Sequence, residues 1–178
     1  MFVDVLHEDF VEKHFNGQDV FPYVQRATLD IILETAMGVS QGVQTQRKSE
    51  YLECIEEAVQ IIQQRQFIPW YMNDTMFSFF PVAKRFQKVL GQLLEFTKTV
   101  IRDKAENFHQ KLEEKNRVAF LDLLLGYRME DPSNLTLDNI QEEVDTFMFE
   151  GHDTTTCSIA WTIFLIGNHP EVCNITTA

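Results

Sequence analysis

Glycine and proline are scarce in this 178-residue chain, at seven and five, and cysteine occurs only three times. So few turn-forming residues exclude a sheet-rich protein built on many tight hairpins. Cys54, Cys157 and Cys173 are widely spaced and form no C-x-x-C, so neither a disulfide framework nor a zinc ribbon is indicated, and a reducing compartment fits best. Positive charge is short as well. Fifteen Lys and Arg stand against 27 Asp and Glu, a net charge of −12, which leaves no basic footprint to neutralise phosphates and argues against nucleic acid as a partner. No run approaches the roughly 18 apolar residues of a membrane span, and residues 1–30 lack the cationic start and apolar stretch of a secretory signal. The chain as written reads as soluble or only peripherally attached. Asn73-Asp-Thr75, Asn134-Leu-Thr136 and Asn174-Ile-Thr176 match the glycosylation sequon, a pattern short enough to arise often by chance.

Apolar residues make up 44% of the chain and aromatics 12%, enough for one sizeable core. Leu, Glu, Gln, Lys and Ala in long stretches suit helices, so the fold class is all-α. With no repeat and no linker, residues 1–178 read as one domain or part of one. Apolar residues at helical spacing mark a first segment over residues 2–11, closed by Asn16-Gly17. A second helix is expected over 22–37, with Pro22 in its first turn and Gly38 at its end. Ser49 is placed to cap a third, with Tyr51, Ile55, Ala58, Val59 and Ile62 on its inner face and Pro69 as its stop. Residues 70–80 look irregular, and Pro81 opens a long helix running to about residue 115. A short helix over 120–125, a loop at Asp131-Pro132-Ser133-Asn134 and a last helix capped by Thr136 and running to His169 complete the pattern.

Chemistry concentrates in the last helix. Between apolar stretches lies Glu150-Gly-His-Asp-Thr-Thr-Thr156, where local rules are broken. A mid-helix glycine costs about 1 kcal/mol relative to alanine, and threonine hydroxyls bond back to carbonyls one turn earlier. Such lapses tend to mark functional sites. Glu150 shares a face with Asp153 and with Thr154, so two carboxylates and a hydroxyl line one groove, a plausible proton relay. Spacing alone serves equally well for a surface patch where a core helix emerges into water. Metal ligation is not expected, because Glu150 and His152 are two apart and point to different faces. His152 reads as a structural or solvent-side histidine and Cys157 as a small core residue.

Glu143-Val-Asp-Thr-Phe-Met-Phe-Glu-Gly-His-Asp-Thr-Thr155, followed by His169-Pro-Glu171, resembles the oxygen-activating helix of the cytochromes P450, family 4. Arg26-Ala-Thr-Leu-Asp-Ile-Ile-Leu-Glu-Thr-Ala-Met-Gly38, Arg65-Gln-Phe-Ile-Pro-Trp70 and Ala119-Phe-Leu-Asp-Leu-Leu-Leu125 support it in the expected order, so the resemblance covers nearly the whole chain. It implies the central part of the P450 fold, incomplete at both ends, with residues 1–178 a single partial domain and the oxygen-activating helix at about 137–169. Carried over, Gly151 lets the helix loosen over the haem, Asp153 relays protons and Thr154 hydrogen-bonds the iron-bound oxygen. Asp153 and Thr154 are then the catalytic residues, and Glu150, Gly151 and Thr154 the cofactor-binding ones. Glu150 aligns with the position that forms an ester to a haem methyl group in many family members. Phe147, Phe149 and Ala160 serve equally as a wall of the pocket or as ordinary core.

The implied parent enzyme is an NADPH-dependent haem-thiolate monooxygenase that hydroxylates fatty acids or similar apolar small molecules. Its partner is NADPH-cytochrome P450 reductase, and it sits on the cytosolic face of the endoplasmic reticulum membrane; the segment itself carries no anchor and would be cytosolic. The family's Phe-x-x-Gly-x-x-x-Cys-x-Gly loop and Glu-x-x-Arg pair do not occur in this sequence, so the axial cysteine is expected to be absent from this chain and no side-chain metal ligand is assigned. After Val172 the tail 173–178 diverges from the family. The isolated segment is therefore expected to be inactive. The alternative from another class is a non-enzymatic, truncated helical protein that binds reductase or apolar ligands.

Overall fold

A computed structural model describes residues 4–5, 19–45, 49–106 and 118–169; most of the first expected segment and the tail 173–178 lie outside them. All regular structure among the described residues is helical, as the composition implies. Two compact units are present, Met1–Gln46 with Thr146–Ala178, and Arg47–Asp145.

In the first unit, α1 spans Phe21–Ile32. The Asp19 carboxylate accepts the Phe21 amide at 2.9 Å, and Pro22 occupies the first turn, where its missing N–H leaves nothing unpaired. Residues Leu33–Met37 continue as a wider π-helical turn, ended by Gly38 at φ 67° with the Val39 amide bonded to the Leu33 carbonyl at 3.0 Å. That left-handed φ is the reason for a glycine there. Asp30, buried on α1, accepts the Val43 and Gln44 amides at 2.7 and 2.9 Å, so one carboxylate gathers the chain that follows the helix.

The second unit holds α2 (Glu50–Phe67), α3 (Asp74–Ser78), α4 (Pro81–Glu106) and α5 (Phe120–Glu130). Ser49 stands at the N-cap with extended backbone, but its side chain makes no capping bond, contrary to expectation. The buried face of α2 runs through Tyr51, Cys54, Ile55, Ala58 and Ile61; Ile62, expected inside, is 39% exposed although it falls on the same side of the helix as Tyr51. α2 packs along α4, where Cys54, Ala58 and Val89 meet and Tyr51 stacks on Phe96 at 4.5 Å between ring centres. Residues 70–80 are more ordered than their composition suggests. A 3₁₀ turn at Pro69–Tyr71 leads into α3, which Asn73 caps by accepting the Met76 amide at 3.1 Å. Lys104 on α4 pairs with Asp122 on α5 at 2.9 Å, both largely buried.

The last helix, α6, spans Leu137–Asn168 without a break, its residues up to Asp145 in the second unit and the rest in the first. Its start is a reciprocal cap. Thr136 Oγ1 accepts the Asn139 amide at 3.2 Å while Asn139 Oδ1 accepts the Thr136 amide at 3.1 Å.

Candidate active site

In the first unit, α6 turns two chemically different faces outward and inward. Met148, His152 and Thr156 recur every fourth residue and are all buried. Glu150 and Thr154, two residues away from His152 on either side, project about 200° round the helix from it and are exposed. Asp153 is half-buried at the edge of that open face, so its carboxyl is only partly shielded from solvent. Phe147 lies one turn before Glu150 on the open side, while Phe149 points away from Phe147; the two do not form one wall.

Two of the three threonines behave as their chemistry dictates. Thr154 Oγ1 donates to the Glu150 carbonyl at 2.6 Å and Thr156 Oγ1 to the His152 carbonyl at 2.8 Å. The helix stays continuous through Gly151, with no loosening. Close packing gives the glycine a further reason, since a Cβ there would come within 3.0 Å of Ile32 Cδ1.

His152 is fully buried, with Nε2 3.2 Å from the Gln25 carbonyl of α1. Burial pushes its imidazole pKa down, against the opposing pull of the Asp153 charge and the Gln25 carbonyl, so the ring is structural and not solvent-side. Sequence reasoning missed its partner, although Gln25 and Thr28 stand beside and within the upstream motif, three apart on one helix. Thr28 Oγ1 lies 2.6 Å from Thr156 Oγ1.

Further along α6 the open side borders a hollow of about 700 Å³ lined by Val20, Phe21, Cys157, Ala160, Trp161 and Phe164. Cys157 is half-buried there rather than a core residue. Cys54 is buried in the second unit, near Gln92 Oε1 at 3.7 Å, and burial with the neighbouring Glu50, Glu57 and Glu53 pushes its thiol pKa up, which disfavours a thiolate. Among the described residues no cluster of three or more His, Cys, Asp or Glu forms a metal cage, and no helix is long and apolar enough to cross a membrane.

Aromatic and small apolar groups form most of the hollow's lining, which on α6 begins at Cys157, after the Glu150 to Thr156 stretch. Residues 1–174 match the cytochrome P450 family, and the chain belongs to it. It is 38% identical to cytochrome P450 4V2 of Mus musculus and 37% identical to cytochrome P450 4c3 of Drosophila melanogaster, in each case over 96% of this chain and 36% of the relative. A further relative, the probable cytochrome P450 4s3 of Drosophila melanogaster, is 36% identical over 88% of the chain. The chain thus spans about a third of the length of the curated relatives it matches. The family's members are haem monooxygenases.

Proposed function

We propose that residues 1–174 are the oxygen-activating part of one haem-thiolate monooxygenase domain of family 4, acting on fatty acids or similar apolar chains with electrons from NADPH through a flavoprotein reductase. The observation that carries the reading is the open face of α6, where Glu150 and Thr154 are exposed and Asp153 half-buried, with a largely apolar hollow beginning further along the helix at Cys157. Haem, when bound, supplies the activation of dioxygen, so that one oxygen atom enters a C–H bond and the other leaves as water with two protons and two electrons.

The chain's residues supply the protons. Asp153, half-buried, reaches solvent with one side of its carboxylate and takes up a proton there. Thr154 Oγ1, now donating to the Glu150 carbonyl, is the hydroxyl that passes a proton on by exchanging that bond for one outward. Glu150 offers the carboxylate for an ester to a haem methyl group, a tether that would stiffen the pocket. The parent protein is placed at the cytosolic face of the endoplasmic reticulum membrane. Taken alone, residues 1–178 are proposed to be inactive, because none of Cys54, Cys157 and Cys173 stands in the family's Phe-x-x-Gly-x-x-x-Cys-x-Gly sequence.

The test is a chimera in which residues 1–174 replace the matching segment of mouse cytochrome P450 4V2. It should take up haem, give the thiolate-type carbon monoxide spectrum and oxidise an apolar chain, whereas the isolated chain should not give that spectrum. A chimera that binds no haem, or an isolated chain with the thiolate spectrum, contradicts the proposal. For the tether, acid solvent should leave haem on the chimera and extract it from Glu150→Ala; haem equally extractable from both removes that role.

A further inference from the structure

A buried polar cluster between α1 and α6 of the first unit takes no part in the proton chemistry. Its first rung joins His152 Nε2 to the Gln25 carbonyl at 3.2 Å. A carbonyl can only accept, so Nε2 carries the proton and Nδ1 is left as a bare lone pair. Nδ1 is buried and has no partner among the described residues. A second proton there would be a buried, unpaired charge, which agrees with burial pushing the ring towards its neutral form. The second rung, one turn on, joins Thr156 Oγ1 to Thr28 Oγ1 at 2.6 Å, both buried. Each hydroxyl has one proton and also faces a carbonyl of its own helix, Thr156 that of His152 at 2.8 Å and Thr28 those of Val24 and Gln25 at 3.0 Å. Whichever threonine donates across the gap therefore gives up its own-helix bond.

We infer that His152 is a positioning residue. Its Nε2–H bond to the Gln25 carbonyl, joined by the Thr156 to Thr28 bond, fixes the rotation of α6 that presents Glu150 and Thr154 on the open face. Apolar contacts are non-directional and permit small rotations, whereas two hydrogen bonds one turn apart admit one register. A slip of one residue would turn every side chain by about 100°, carrying Glu150 and Thr154 off the open side. Gly151, next to the first rung, assists, because its missing Cβ lets Ile32 approach α6. That this face handles oxygen rests on the function proposed above; the register does not, and its test needs no haem.

The experiment uses the full 178-residue chain. Nitrogen-15 NMR of the imidazoles should show His152 neutral with the proton on Nε2, and amide hydrogen exchange should be followed in His152→Phe and His152→Gln. Phenylalanine keeps the bulk without the donor, and should speed exchange over residues 150–156 by about tenfold or more while 160–168 stay within about threefold. Glutamine can place its amide nitrogen where Nε2 stands, and should restore slow exchange. If His152→Phe fails to fold while His152→Gln exchanges as the wild type does, the donor is confirmed as the determinant. A ring protonated on Nδ1, wild-type exchange in His152→Phe, or no rescue by glutamine overturns the inference. A failed chimera beside a successful exchange result would reject the proposed function and leave the register intact.

Discussion

His152 stands two residues from both Glu150 and Thr154, and its burial has a measurable consequence in acid. Its pKa is lowered from 6.5, first by burial, with the Asp153 charge and the Gln25 carbonyl opposing. The folded state therefore binds fewer protons than the unfolded one as the pH falls below that value. Its stabilising contribution is fully present above about pH 6.5 and is lost as pH descends through the depressed folded value. His152→Gln removes the titration while keeping a donor, so its urea midpoint should fall less than the wild type's between about pH 7 and pH 5. Equal losses in the two proteins would show that the ring is not held neutral. The neighbouring Thr154 differs in kind, since its hydroxyl is exposed and bonded only to its own helix, free to exchange partners at little cost.

At the scale of elements, polar side chains do much of the joining. Asp30 gathers two amides beyond α1, Thr136 and Asn139 start α6, and Lys104 with Asp122 ties α4 to α5. The last pair is mostly withdrawn from water, with side chains 9% and 11% exposed, so neither partner tolerates being left alone. Asp122 also accepts the Ala119 amide at 3.3 Å. Lys104→Met should cost about 3 kcal/mol by leaving a buried carboxylate unpaired, and Lys104→Met with Asp122→Leu should recover much of it, as read from denaturant midpoints of singles and double. A single substitution worth under about 0.5 kcal/mol would mark the pair as no stronger than a surface bridge.

Over the whole molecule, helices were legible wherever periodicity and caps agreed. Pro22, Gly38, Pro81 and Thr136 each mark a boundary within a residue or two of the observed one. Ser49 misled because its backbone takes the cap position while its hydroxyl makes no bond, a distinction of side-chain rotamer that no pattern carries. The short α3 was hidden among aromatics, and only Asn73 hinted at it. At the site, spacing grouped Glu150 with Thr154 and parted Glu150 from His152, and the burial pattern agrees. Burial was harder to read, since which side of a helix meets α1 depends on residues more than a hundred positions away, Gln25 and Thr28.

The central claim is that the open face of α6 delivers protons for oxygen activation, and the ratio of hydrogen peroxide released to product formed tests it most directly. In the chimera, Thr154→Ala should raise that ratio about tenfold or more while haem content and substrate binding stay unchanged, because the lost hydroxyl slows delivery of the protons that commit oxygen to product. A Thr154→Ala protein with the peroxide-to-product ratio of its parent would contradict the account.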